Sequence, residues 1–95
     1  MAGTLKVRLL TESGAVLEDD AVSVVAPGGL GYLGVLHNHA PLVTTLQPGN
    51  FTWRRPDGAT QGRRIGHGIL EVARNQLTLL TDTMTELPED AAAHG

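Results

Sequence analysis

Residues 28–49, GGLGYLGVLHNHAPLVTTLQPG, carry the clearest signals of how the chain folds. Glycines in the first half of this stretch permit positive φ or a close approach of two backbones, and short apolar pairs lie between them. Pro41 has no N–H to donate to a neighbouring strand, so it predicts the start of a strand or an edge strand at this position. Pro48 and Gly49 form a turn signal at the end. The stretch therefore predicts a tight loop, a short strand, a histidine-bearing turn, a second strand and a closing turn, without a helix.

Segments on both sides of this stretch alternate apolar and polar residues, which is typical of half-buried strands. An acidic corner at Asp19-Asp20 precedes an apolar central strand that we expect Pro27 to end. Further on, Pro56-Asp57-Gly58 signals a hairpin turn. The strands predicted outside residues 28–49 are 5–9, 15–18, 21–26, 50–55, 60–65, 69–73 and 76–82.

These short strands, with turn signals about every 8–12 residues, predict an all-β protein. We expect one domain, residues 1–83, folded as a flattened β-sandwich of about nine or ten short, mostly antiparallel strands. Residues 84–95 carry Pro88 and several carboxylates and offer little to pack. They are predicted to form a short, irregular, disordered tail.

Composition limits the classes of function. A chain of 95 residues fits one small domain, and its net charge of −3 argues against nucleic acid or an anionic membrane as the main partner. The sequence has no cysteine, which excludes thiolate metal sites. Lys6 and Arg8 interrupt the apolar N-terminus, which therefore does not resemble a signal peptide. No apolar run approaches the ~20 residues of a membrane helix.

The histidines are the first candidates for chemistry. His37, His39 and His67 could together hold a metal ion with an open coordination position, and their spacing resembles the opening of the cupin metal motif. That motif requires a glutamate where Val43 and Thr44 stand. The alternative is that these are turn or interface histidines.

A second cluster comprises Arg54, Arg55, Arg63 and Arg64 beside Phe51 and Trp53. It is either a nucleic-acid platform or a solvated hairpin. The sequence offers no serine nucleophile elbow and no phosphate-binding loop, and we predict no catalytic residue, bound metal or cofactor. Several strands are apolar on both faces, which suggests a docking module.

Four blocks of residues together point to a family. They are Gly-Tyr-Leu-Gly-Val-Leu-His-Asn-His-Ala-Pro-Leu at 31–42, Leu-Gln-Pro-Gly at 46–49, Gly-His-Gly-Ile-Leu-Glu-Val at 66–72 and Leu-Thr-Asp-Thr at 80–83. In content and order these blocks resemble the epsilon subunit of F-type ATP synthases, over the whole N-terminal domain of that family.

The resemblance implies a β-sandwich of about ten strands that does no bond chemistry. It implies a rotor subunit of the central stalk, bound to subunit gamma, resting on the loops of the c-ring and touching the catalytic head only indirectly. Such a subunit helps to couple the flow of protons or sodium ions to ATP synthesis. It is a peripheral membrane protein, expected on the cytoplasmic face of a bacterial inner membrane.

The resemblance also assigns residues to partners. Gly29, Leu30, Gly31 and Tyr32 match the loop that faces the c-ring. Thr11, His39, Pro41 and Leu42 match positions on the gamma side.

Three departures from the family pattern carry expectations. The sequence stops soon after Asp82, where relatives usually continue into a helical arm, so inhibition of ATP hydrolysis by that arm is expected to be absent. Leu30 and Tyr32 replace glutamates of many relatives, so either the ring contact is more apolar or the ring loop differs. His37-Asn38 replaces Pro-Gly and His67 replaces a small residue, which suggests a pH-sensitive interface.

Overall fold

Ten strands and no helix make up residues 3–87, the part of the chain that the computed structural model describes. This confirms the predicted all-β class, and no helix capable of crossing a membrane occurs in these residues. The strands are β1 (Leu5–Thr11), β2 (Val16–Ala21), β3 (Ser23–Gly28), β4 (Gly31–Leu36), β5 (Leu42–Leu46), β6 (Gly49–Arg54), β7 (Thr60–Ile65), β8 (Gly68–Ala73), β9 (Gln76–Thr81) and β10 (Met84–Glu86).

The strands follow one hydrogen-bonded path, β10-β7-β6-β3-β5-β8-β9-β1-β2, and β4 pairs with β3 beside it. The sheet bends between β3 and β5, because these two strands pair at one position alone among the described residues, Gly28 with Leu46. One layer is therefore β2-β1-β9-β8-β5, and the other is β4-β3-β6-β7-β10. All described pairs are antiparallel except β1 with β9, which confirms a mostly antiparallel sandwich.

Alternation along each strand puts one row of side chains into the space between the layers. On β1, Lys6 and Arg8 are exposed, whereas Leu5, Val7 and Leu9 are buried. Both layers contribute to a single apolar core. Its buried members are Leu5, Val7, Leu9, Ala21, Val24, Ala26, Val35, Leu46, Phe51, Trp53, Ile65, Leu70, Val72, Leu77 and Leu79.

The prediction that Pro27 ends the central strand is wrong, since β3 runs through it to Gly28. Pro27 lies between the residues of β3 that pair with β6, which stop at Val25, and the one that pairs with β5. Its missing N–H therefore falls where the ladder has a gap, and its carbonyl accepts a hydrogen bond from the Gln47 N–H at 3.0 Å.

The prediction of an acidic corner at Asp19-Asp20 is also wrong. Both residues lie inside β2, where Asp19 pairs with Val7 and Asp20 with Lys6 of β1. Among the described strands β2 pairs with β1 alone, and such an edge position tolerates charged side chains.

The tail predicted from residue 84 begins with β10, which pairs with β7 from Met84 to Glu86. Met84 packs against the core and so anchors these residues by an apolar contact. The prediction of disorder for residues 88–95 lies outside the described residues.

The glycine-rich loop is a β-hairpin with a two-residue tip. Gly28 of β3 pairs with Gly31 of β4, which leaves Gly29 and Leu30 at the turn. Gly31 has a φ of +128°, a conformation that residues with a Cβ rarely adopt. The order of loop, strand, turn, strand and turn expected for residues 28–49 is confirmed.

Candidate partner-binding surface

An exposed apolar row crosses the outer face of the β2-β1-β9-β8 layer. Ile69 lies opposite Leu80, Leu80 beside Leu10, and Leu10 opposite Val16, so that all four side chains point to the same face. Ile69, Leu80 and Val16 are 51%, 46% and 55% exposed, and Leu10 is half-buried. We call these four residues the outer stripe. A contiguous apolar surface of this kind on a small domain indicates a binding site.

A charged row borders the outer stripe. One step further along the strands, Glu71, Thr78, Arg8 and Glu18 face the solvent in the same cross-strand register. An apolar centre with a polar margin is the usual anatomy of a protein–protein interface.

None of the four residues of the outer stripe was predicted from the sequence to bind a partner. The signal was present as adjacent apolar pairs, Leu9-Leu10, Ile69-Leu70 and Leu79-Leu80, in strands that should alternate.

The residues predicted to face the c-ring lie together on the β3–β4 hairpin, with Leu30 fully exposed at its tip. The tip adjoins the outer stripe. Thr45 lies opposite Ile69, and the Gly29 N–H donates a hydrogen bond to the Thr45 carbonyl at 3.1 Å. The Tyr32 hydroxyl accepts a hydrogen bond from the Asn50 N–H at 3.1 Å, which ties β4 to the start of β6.

The residues predicted for the gamma side do not form one patch. Thr11 ends β1 and is 9% exposed, and its hydroxyl accepts a hydrogen bond from the Ala15 N–H at 3.0 Å within the β1–β2 turn. Pro41 and Leu42 lie at the opposite end of the layer, where β5 starts. The length of β5 separates the two ends by roughly 13 Å.

A groove of about 390 Å³ opens between the β3–β4 hairpin and β5. It is lined by residues 28–34 together with His39, Leu42 and Thr44. All the predicted ring-side residues and two of the gamma-side residues therefore share one concave surface. β4 and β5 belong to different layers, and the groove lies between them, where β3 is hydrogen-bonded to β5 at the hairpin tip.

Asp19 connects the two layers on the other side of the sandwich. Its carboxylate accepts a hydrogen bond from the Trp53 indole at 2.8 Å and another from the Arg55 guanidinium. Burial favours the neutral acid, but the bonds from Trp53, Arg55 and the Asp20 N–H outweigh it and hold the pKa of Asp19 below its ordinary value. This arrangement is structural, since β6 and β2 are held together by it.

The metal alternative has no support. His37 and His39 lie in the turn before β5, whereas His67 lies in the bend before β8, beside the far end of β5. The His37 ring rests against Gly3, and Nδ1 of His39 lies 2.7 Å from the Ala40 carbonyl oxygen. Within residues 3–87 no cluster of histidines and acidic residues is arranged to hold a metal ion.

The structure does not support a nucleic-acid platform at the arginine cluster, because the two aromatic side chains beside it are buried. Phe51 and Trp53 are buried in the core, so neither ring is free to stack on a base. Arg55 pairs with Asp19, and Arg63 lies 5.6 Å from the centre of the Trp53 ring. The structure therefore favours the second interpretation of the arginine cluster, a solvated hairpin, in which Arg63 packs near the buried ring of Trp53.

Comparison with known proteins gives a consistent answer. A family model described as "ATP synthase, Delta/Epsilon chain, beta-sandwich domain" matches residues 4–87. The ATP synthase epsilon chain of Moorella thermoacetica is 44% identical over 80 residues, covering 84% of this chain and 60% of the relative. That of Desulfitobacterium hafniense is 39% identical over 83 residues, covering 87% and 62%. The chain thus spans about 60% of the length of these relatives.

Solved structures show the same fold. A chain of the Euglena gracilis mitochondrial ATP synthase (OSCP/F1/c-ring) superposes with a TM-score of 0.80 at 17% identity, covering 96% of this chain and 60% of that one. A chain of the Tetrahymena thermophila mitochondrial ATP synthase central stalk and c-ring superposes with a TM-score of 0.70 at 14% identity, covering 90% and 68%.

Proposed function

Since the chain belongs to the ATP synthase delta/epsilon family, we propose that it is a non-catalytic rotor subunit of the central stalk. In this role it binds subunit gamma, rests on the loops of the c-ring and helps to couple ion flow to ATP synthesis. Family membership also supports a peripheral position on the cytoplasmic face of a bacterial inner membrane, held there by the complex.

The outer stripe is the observation that carries this proposal. A rotor subunit needs a stiff scaffold and a lasting contact with its neighbour, and Val16, Leu10, Leu80 and Ile69 provide a continuous apolar contact across four strands. We assign gamma to this stripe because it is the broad apolar face of the layer. An interface of standard size buries about 800 Å² on each partner, of which this row would form the centre.

The hairpin tip then faces the ring. The tip adjoins one end of the outer stripe through Thr45, so a partner bound on the stripe leaves Leu30 free for a second contact. The predicted gamma-side residues at the start of β5, His39, Pro41 and Leu42, lie along the groove or beside it, and we propose that they support gamma from there. Thr11 acts indirectly, by shaping the turn between β1 and β2.

The experiment is binding of the full chain to gamma from the same organism, measured by biolayer interferometry. Ile69→Glu places a charge in the centre of the outer stripe. Losing the burial of this side chain costs about 2 kcal/mol, and an unpaired charge costs more, so we expect the affinity to fall by about thirtyfold or more. Thr85→Glu is the matched control, because Thr85 is an exposed strand residue on the other layer and adds the same charge.

A wild-type chain that does not bind gamma contradicts the proposed function. Equal losses from Ile69→Glu and Thr85→Glu contradict the assignment of gamma to the outer stripe. Circular dichroism spectra of both variants establish that the fold is retained.

A further inference from the structure

Three of the described strands, β2, β4 and β10, have one neighbour each and so present a free edge. β2 carries Glu18, Asp19 and Asp20, and β10 has three residues ending at Glu86, so charge or shortness protects both edges from unwanted pairing. β4, Gly31–Leu36, has six residues without a charge or a proline, and the adjacent β3 is uncharged as well. β4 is therefore the free edge that is open to pairing with another strand.

The backbone groups on the free edge of β4 come from alternate residues. The two-residue tip makes Gly31 a hydrogen-bonded partner of β3, so the N–H and C=O groups of Tyr32, Gly34 and Leu36 point away from β3. The Leu36 carbonyl accepts a hydrogen bond from the His39 N–H at 3.1 Å. Within residues 3–87, no backbone hydrogen bond engages the outward-pointing groups of Tyr32 and Gly34. These groups can continue the sheet onto a further strand.

The side chains at this edge match a second copy of the same strand. Tyr32, Gly34 and Leu36 point to the outer face, whereas Leu33 and Val35 point toward the core. In a twofold antiparallel pairing with Gly34 opposite Gly34 of the second copy, Tyr32 lies opposite Leu36 and both faces of the sheet continue. Tyr32 and Leu36 are 58% and 61% exposed in the single chain, so each copy covers an exposed side chain of the other.

We propose that the free chain forms a twofold dimer in which the β4 strands of two copies pair antiparallel, centred on Gly34. This register uses all three residues whose backbone groups point outward, whereas a shift along the strand leaves one of them unpaired. Twofold symmetry brings each residue near its own equivalent, and an uncharged strand alone tolerates this without repulsion. The same pairing of β2 would bring the carboxylates of Asp19 and Asp20 together.

The dimer itself does not depend on the proposed function, whereas its consequence for assembly does. Gly31 and Tyr32, which are expected on the ring side, belong to β4, so a chain paired through β4 is not free to make that contact. The dimer is therefore a form of the free chain that separates when the chain enters the stalk. A strand edge buries less than an interface of standard size, and such small interfaces are weak and reversible.

Charge substitutions at the centre of the interface provide the test. Sedimentation equilibrium of the full wild-type chain is expected to show a monomer–dimer equilibrium with a Kd on the order of 10–100 µM. Gly34→Glu and Gly34→Lys each place two like charges near the twofold axis, so we expect each to raise the Kd at least about tenfold. An equimolar mixture of the two variants places opposite charges together, and its Kd should return to within about threefold of the wild-type value.

The controls separate loss of the interface from loss of the fold. A Cβ built at Gly34 meets nothing closer than the Val24 carbonyl oxygen at 3.9 Å, so both variants are expected to fold, which circular dichroism checks. Thr85→Glu and Thr85→Lys, at an exposed position of β10, add the same charges and should leave the dimer unchanged.

Hydrogen exchange of the wild-type chain is a second measurement that requires no variant. The amides of Tyr32, Gly34 and Leu36 should exchange at least about threefold more slowly at about 500 µM than at about 5 µM, because the dimer protects them. Equal exchange rates at the two concentrations contradict pairing through β4.

A wild-type chain that stays monomeric at about 500 µM overturns the proposal. A dimer that both Gly34 variants leave intact overturns it as well, and dissociation of that dimer by Ile69→Glu would identify the outer stripe as the interface. If the equimolar mixture does not restore the dimer, the pairing centred on Gly34 is wrong. These results concern the free chain alone, so a failure of the dimer is distinct from a failure to bind gamma.

Discussion

Asp19→Asn removes the charge that joins the two layers while keeping the size of the side chain. The Asp19 carboxylate accepts hydrogen bonds from Trp53 and Arg55, and its side chain is only 15% exposed. An asparagine retains one carbonyl oxygen, so one of these donors would face an NH₂ group instead. A hydrogen bond to a charged group contributes about 1.5–3 kcal/mol, and the solvent-facing position of Arg55 reduces its share. We expect a loss of about 2 kcal/mol in the free energy of unfolding, and a Tm lower by about 10 °C.

Asp20→Asn is the matched control, because Asp20 is the next residue on β2. Its carboxylate lies 3.7 Å from Lys6 Nζ, and both side chains are more than half exposed. Such a surface pair is worth about 0.5 kcal/mol. Urea unfolding followed by circular dichroism measures both variants. Trp53, the only tryptophan, reports on the site independently through its fluorescence.

The pH dependence of the Asp19→Asn effect follows from the lowered pKa of Asp19. A carboxyl whose pKa is lower in the folded state stabilises the fold above its unfolded pKa, and that stabilisation is lost as the pH falls through the folded pKa. The difference between the wild-type chain and Asp19→Asn should therefore be full at about pH 7 and shrink below about pH 4. If Asp19→Asn costs no more stability than Asp20→Asn, or if its cost is the same in acid, the Asp19 carboxylate does not hold the two layers together.

Two further substitutions test the fold. Gly68→Ala drives a Cβ into the Leu80 carbonyl oxygen, so we expect the free energy of unfolding in urea to fall by about 3 kcal/mol. Gly34→Ala, whose Cβ position is open, is the control and should change it by no more than about 0.5 kcal/mol. Asn75→Ala removes the hydrogen bonds that join Asn75 to Asn38 and strains a residue with φ of +61°, whereas Asn75→Gly removes the bonds alone. We expect Asn75→Ala to cost about 1 kcal/mol more than Asn75→Gly, and equal costs would show that the left-handed backbone is not strained.

Local chemistry accounts for what the sequence predicted well. The signal Pro56-Asp57-Gly58 placed the β6–β7 hairpin, and β7 has the predicted bounds Thr60–Ile65. Gly58 has a φ of +91°, and the Asp57 side chain accepts a hydrogen bond from the Ala59 N–H, so the turn is specified by residues that are neighbours in the chain.

The parts that were missed depend on register between distant strands. The outer stripe requires Leu10 to lie beside Leu80, and no local pattern specifies that pairing. Asp19 meets Trp53 across the two layers for the same reason. β3 continues through Pro27 because its ladder has a gap between the residues that pair with β6 and the one that pairs with β5. Propensity and alternation define individual strands, whereas the binding surface arises from their assembly.

The parallel pairing of β1 with β9 affects how the chain folds during its synthesis. Lys6 of β1 lies beside Gln76 of β9, so one edge of the β1–β2 hairpin stays unpaired until β9 has been synthesised. Long-range pairing of this kind makes folding slow, and an open edge promotes association with other chains during the delay. Other chains can therefore associate with the nascent β1–β2 hairpin at this edge, and production of the protein should improve when chaperones cover it.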